Sequence, residues 1–327
     1  MAHPANRTTT DFISRFGIEA PMSFSGIVRA PWFASVAAVS AVALWGLAFP
    51  LIQDGLVYFS PVMLGFLRFL SASLVMVVVL LLLYPASKLK ETFLREWRSL
   101  LLLGALYVTI PNIAQNMGLE HGTSSIASVI QSSGPVMTLL FATLLLKERL
   151  TVVKGVGSII AMTGTVLLIA NGGLSLQDED FVSNLLILAS ATSYGLAWVS
   201  AKRMLERSPP MIIIGMSLML GTMMLAIAVP FEPDSMAVFD SDSMTTLLLL
   251  GVLCGAGSSV LYLYSLEREE VSRMAFYIYL MPLFASIFAW LLRDETVALW
   301  TAVCGVIIIA GVAIAERGGH RSKASGP

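Results

Sequence analysis

The stretch PVMLGFLRFLSASLVMVVVLLLLYP, residues 61–85, is long and apolar enough to cross a bilayer, yet Arg68 lies well inside it. About 20 predominantly apolar residues, rising ~1.5 Å each as a helix, span the hydrocarbon layer. The run is continuously apolar, without the period-2 alternation of a membrane barrel, so it predicts a helix. Runs of the same kind recur along the chain, at about 34–53, 61–84, 99–119, 125–146, 155–171, 184–201, 210–230, 246–266, 271–292 and 298–315. Composition agrees: 57% of the 327 residues are hydrophobic and 13% are charged, where soluble domains carry about 25% charged residues. The expectation is an all-α membrane protein with ten transmembrane helices.

The charges orient such a chain. Of the twenty Lys and Arg residues, eighteen fall on one side if the runs weave regularly: in the N-terminal tail, after the second, fourth, sixth and eighth runs, and in the C-terminal tail. Arg293 alone falls on the other side, with the acidic stretches around Asp178–Asp180 and Glu232–Asp242. The positive-inside rule then places both termini in the cytoplasm of a multi-pass protein of the cell membrane. Residues 1–33 contain no apolar core of a signal peptide and are expected to form a cytoplasmic tail, as are residues 317–327. Cys254 and Cys304 both fall within apolar runs and are expected as small buried residues, with no disulfide.

The chain repeats itself. LLLLGALY at 100–107 returns as LLLLGVLC at 247–254, an offset of 147 residues. The same offset relates Ser125 to Ser272, Pro135 to Pro282, Glu148 to Glu295 and Gly164 to Gly311. An offset of 149 relates WGLA at 45–48 to YGLA at 194–197, and Pro61 to Pro210. Each copy, 34–171 and 184–316, holds five runs. Five is odd, so the second copy enters the membrane inverted, the arrangement by which secondary transporters enclose a midplane site and alternate access to it.

These motifs carry a resemblance. Trp45-Gly46, Pro61, Arg68, Pro135, Glu148 in LLLKERLT, and Gly155, Gly157 and Gly164, with Tyr194-Gly195, Pro210, Pro282, Glu295 in LLRDETV, and Gly305 and Gly311 in the second copy, resemble the EamA-type branch of the drug/metabolite transporter superfamily. The resemblance covers residues 34–316 and departs from the pattern where the second copy lacks a match to Arg68. It implies a ten-helix permease with a central cavity, often an exporter, whose substrates range over amino acids, other metabolites, drugs and vitamins.

Candidate site residues follow from polarity within the runs. Arg68 is too deep to sit at the headgroups and must face protein or water. Two readings stand: a structural partner of Asp54 or of backbone carbonyls near Pro50 or Pro111, and an anchor for a substrate carboxylate or phosphate. Asn112, Gln115 and Asn116 share one helical face, and Ser128 and Gln131 share another. Trp45, Tyr194, Tyr262 and Tyr279 supply aromatic walls. The competing reading of these polar groups is interhelical adhesion. Pro135 and Pro282 are expected as bending points, and Glu148 and Glu295 as hydrogen-bonding groups at helix ends. With three histidines and neither a zinc-protease motif, a nucleophile elbow nor a phosphate-binding loop, no enzyme, metal or cofactor is expected. The expected partners are a small-molecule substrate, the lipid bilayer, and either a proton or an exchanged solute; nucleic acid is not among them. Export of amino acids or related polar organic solutes is the leading function, and a non-transporting membrane sensor or assembly subunit is the alternative.

Overall fold

The computed structural model describes residues 31–147, 151–169, 179–233, 235–266 and 277–324, and these are almost entirely helical. In chain order the helices are α1 (Pro31–Gly55), α2 (Pro61–Leu83), α3 (Ala86–Gly104), α4 (Ile110–His121), α5 (Ser124–Gln131), α6 (Gly134–Leu145), α7 (Val152–Ile169), α8 (Glu179–Leu205), α9 (Pro210–Ala228), α10 (Ser241–Leu248), α11 (Ser258–Leu266), α12 (Met281–Arg293) and α13 (Leu299–Ala324). Seven helical stretches among the described residues are long and apolar enough to cross a membrane: 33–55, 61–83, 86–121, 124–145, 179–202, 210–231 and 241–265. Three shorter apolar helices, 152–168, 281–293 and 299–314, accompany them.

Prolines and small residues set the helix starts, breaks and irregular turns. Pro61 and Pro210 open α2 and α9, where a missing N–H costs nothing because the first turn has no intrahelical acceptor. Residues 132–133 form a turn between α5 and α6, immediately before Gly134-Pro135, and residues 279–280 form another before Met281-Pro282. A π-helical turn, Ala105–Thr109, joins α3 to α4. Pro111 follows it, and a proline ring crowds the carbonyl four residues back, that of Tyr107. Widening the turn, so that the Ile110 N–H reaches the Ala105 carbonyl, relieves that crowding. A second π-helical stretch, Leu249–Gly257, joins α10 to α11.

One expectation fails here. The basic segment after α2, expected as a loop, is the first half of α3. Its residues are mostly good helix formers, and Glu91 pairs with Arg95 one turn on at 3.6 Å. Phe93, Leu94 and Trp97 are exposed on it, so it is an amphipathic extension of the spanning helix.

The residues matched at offsets 147 and 149 also pack in matched ways. Gly46 of α1 lies against Phe284 and Ala285 of α12, while Gly195 of α8 lies against Met137 and Thr138 of α6. Gly104 meets Ser217 and Gly221 of α9, while Gly251 meets Arg68 and Ser71 of α2. Gly164 of α7 faces Ile307 and Ile308, while Gly311 of α13 faces Gly157 and Ala161. At each site a Cβ would come within 3.0 Å of an atom of the facing helix, so glycine is what permits the close approach. Helices α2 and α9 run antiparallel, with Gly65 near Leu225 and Met76 near Gly215. Between those contacts the hydroxyls of Ser73 and Thr222, themselves 149 positions apart, lie 2.9 Å from each other.

Candidate functional site

The geometry around Arg68 follows from the two π-helical turns. Packing Gly251 against the Arg68 carbonyl, where a Cβ would sit at 2.5 Å, leaves no room for a side chain between them. Cys254 belongs to that same turn, and Tyr107 of the other turn packs on the apolar cluster that holds Phe69, the neighbour of Arg68. Tyr107 and Cys254 occupy the same place in the repeat, 147 positions apart. Tyr194 of α8 adjoins Tyr107. The guanidinium lies 5.0 Å from the centroid of the Phe69 ring.

Arg68 is 7% exposed, and its Nε and Nη1 have no hydrogen-bond partner among the described residues. The expected pairing with Asp54 is not formed: Asp54 binds Arg293, which lies at the same end of the bundle. Among the described residues no ion pair joins Arg68 to a carboxylate. An arginine at mid-span costs about 2.5–3.5 kcal/mol on insertion scales, so an unpaired one is a standing demand for an anion or for water.

The aromatic candidates form two contacts. Trp45 packs on Tyr262 with centroids 4.8 Å apart. Tyr194 stands edge-on to Tyr107 at 5.8 Å, and Tyr107 to Trp198 at 5.9 Å. Tyr262 and Tyr279 are buried. Among the amides, Asn112, Gln115 and Asn116 are all buried. Asn112 Nδ2 donates to the Val108 carbonyl at 2.7 Å and lies 3.5 Å from the Tyr194 hydroxyl. Asn116 Nδ2 donates to the Pro61 carbonyl at 2.8 Å, tying α4 to the start of α2. The oxygens of Asn112, Asn116 and Gln131 have no partner among the described residues. Ser128 turns back on its own helix, donating to the Ser125 carbonyl. The structure therefore brings Asn112 and Tyr194 together beside Tyr107, and it turns Asn116 and Ser128 to internal bonds.

The end of the bundle that carries the acidic loops is tied shut. Glu232 takes the Ser60 hydroxyl and the Val62 and Met63 N–H groups, at 2.6, 2.6 and 3.1 Å. Glu295 accepts from the Ser124 and Ser125 N–H groups at 3.4 and 3.3 Å, so α12's end caps the start of α5. Gln53 donates to the Gly122 carbonyl at 2.7 Å and accepts from the Ser124 hydroxyl. Glu148, the repeat mate of Glu295, lies outside the described residues.

Two site residues were missed in the sequence. Tyr107 sits in an apolar run and Cys254 reads as a buried filler; the signal that joins them is their shared place in the 147-residue offset.

Long apolar helices, matched close-packing glycines and a buried unpaired cation define a multi-pass membrane protein. The EamA-like transporter family model matches residues 32–170 and again 182–316. The chain belongs to the EamA-like transporter family. An uncharacterized transporter of Archaeoglobus fulgidus is 26% identical over 285 residues, covering 84% of this chain and 96% of that protein. A protein of Streptantibioticus cattleyicolor named "Probable terminal-alkyne amino-acid exporter" is 27% identical over 293 residues, covering 89% and 96%. A crystal structure superposes with a TM-score of 0.62 at 20% identity, covering 89% of this chain and 98% of that one.

Proposed function

We propose that this chain is a secondary transporter that moves small polar organic solutes, amino acids among them, out across the cell membrane by alternating access. In this reading the seven long and three short apolar helical stretches are ten spans, residues 34–171 and 184–316 are two inverted five-helix halves, and both termini are cytoplasmic. The observation that carries it is the reciprocal packing of matched glycines, Gly46 with Gly195, Gly104 with Gly251 and Gly164 with Gly311. Contacts that exchange in pairs are what a two-fold axis between two copies produces. The antiparallel α2 and α9, meeting at Ser73 and Thr222, support an axis in the membrane plane. Two halves so related can rock about a fixed central site. Pro135 and Pro282, at the helix breaks, act as the bending points, and Glu295 ties the end of α12 to the start of α5. The amino-acid class and the outward direction are supported by the exporter of S. cattleyicolor, at 27% identity, and the amino-acid class also by the single buried cation among the described residues, where a phosphate carrier would bring several.

The test is flux in proteoliposomes containing only this chain, with a panel of labelled amino acids under an imposed proton gradient and in exchange mode. Uptake above that of protein-free liposomes supports the reading. Absence of flux across the whole panel in both modes would assign the chain to sensing or assembly.

A further inference from the structure

Three groups lie in one region of the bundle: a guanidinium with two unsatisfied nitrogens beside the Phe69 ring, Tyr107, which packs on the apolar cluster that holds Phe69, and Tyr194, edge-on to Tyr107 at 5.8 Å. Three acids of the adjoining end are engaged elsewhere: Asp54 with Arg293, Glu232 with the start of α2, and Glu295 with the start of α5. The protein therefore supplies the cation and leaves the anion to come from elsewhere. Asn112 explains the part played by Tyr194. Its Nδ2 is pinned by the Val108 carbonyl at 2.7 Å, which fixes which end of the amide is the nitrogen. That same nitrogen lies 3.5 Å from the Tyr194 oxygen, so Tyr194 is the acceptor in that contact and its own proton is free to be donated. Phe69 closes one side of the guanidinium.

We propose that Arg68, Tyr107 and Tyr194 form the subsite for the carboxylate of the transported solute. The proposal rests on the transport reading above and adds to it the group that is recognised and the residues that recognise it. A carboxylate fits this subsite because it accepts from a planar guanidinium and from hydroxyl donors at once. A phosphate dianion would leave one charge unmatched, since Arg68 is the only buried Lys or Arg among the described residues. An amine or a neutral amide would leave the guanidinium unpaired in the apolar interior. The consequence is selectivity: the chain takes amino acids or other organic monocarboxylates and refuses the same molecules once the carboxylate is masked.

The experiment pairs each solute with its carboxylate-masked form. Proteoliposomes of the full chain are offered labelled L-phenylalanine, L-leucine and L-propargylglycine, each beside its α-amide. The expected result is that at least one acid moves, and that its amide moves at least tenfold more slowly. Arg68→Gln should lower flux of the acid at least tenfold and bring the acid-to-amide ratio close to one. A residue with a structural role alone would lower both fluxes together and leave the ratio unchanged. Tyr194→Phe provides a second variant if Arg68→Gln does not reach the membrane, and it should lower the ratio several-fold. Equal flux of acid and amide in the unaltered protein overturns the subsite while leaving transport standing, as does a ratio that survives in Arg68→Gln or, where that variant does not reach the membrane, in Tyr194→Phe. No flux of any solute overturns the transport reading, and this one with it.

Discussion

Arg68 concentrates the energetics of the molecule in one side chain. An uncompensated guanidinium in a buried site is costly, and evolution discards costly groups that serve nothing. Replacing it should therefore harm activity more than folding. We expect Arg68→Ala to reach the membrane at near-normal level and to lose about 10–100-fold in flux, since a charge-assisted bond contributes about 1.5–3 kcal/mol and ~1.4 kcal/mol is tenfold in rate. Immunoblots of membranes beside flux measurements check it; normal flux would remove Arg68 from the site. Arg68→Lys should recover only part, because an ammonium lacks the planar fork. A second residue gives a pH signature. Asp240 caps α10, and the N–H of Ser243, first among its hydrogen-bond donors, holds its carboxyl below the usual carboxylate range. Its folded-state pKa is depressed, so its stabilising effect is present above the unfolded value of about 4 and fades as pH falls through the lowered one. The drop in melting temperature caused by Asp240→Ala should accordingly be seen at pH 7 and vanish in strong acid. The pairing of Asp54 was the misleading part of the sequence. Arg68 lies 14 positions away and Arg293 lies 239 away, and nearness in the chain favoured the wrong partner. The lone basic residue on the acidic side was the signal for the right one.

At the scale of elements, much of the fold was legible because apolar runs and prolines declare themselves. Seven of the runs fall on helices long and apolar enough to cross a membrane and three on shorter apolar helices, and α3 begins at Ala86 rather than near residue 99. A polar segment that continues a helix past the membrane has no apolar signal to mark it. The π-helical turns were not legible either: a widened turn depends on how the chain packs, and Tyr107 and Cys254 owe their positions to it. The glycines inside those contacts make a sharp prediction. A side chain at Gly251 meets the Ser71 hydroxyl and the Arg68 carbonyl, and one at Gly311 meets the Ala161 backbone nitrogen at 2.3 Å. Gly251→Val and Gly311→Val should each destabilise the fold by about 1–3 kcal/mol, the usual cost of overpacking. Gly305→Ala is the control, since its Cβ would meet Val129 at an ordinary 3.6 Å. Thermal unfolding in detergent should separate the first two from the third; equal melting temperatures would mean these helices pack elsewhere.

At the scale of the whole molecule, the account is that two halves related by an axis between Ser73 and Thr222 rock about Arg68. The matching of Lys147 and Asp294, the two non-glycine residues with positive φ among those described, each at 54° and 147 positions apart, fits that relation down to a single dihedral. Ser73→Cys with Thr222→Cys should form a disulfide readily, because their present oxygens are 2.9 Å apart. The structure holds the acidic-loop end closed through Asp54–Arg293, Gln53–Ser124 and Glu295–Ser125. Transport by alternating access requires that closure to break in every cycle. The direct test is flux through Asp54→Cys/Arg293→Cys protein in proteoliposomes, before and after treatment with a short, reducible bis-methanethiosulfonate crosslinker. The account predicts flux before crosslinking, loss of at least nine-tenths of it when the two positions are bridged, and recovery on reduction. Crosslinked protein that carries solute at the uncrosslinked rate would contradict it.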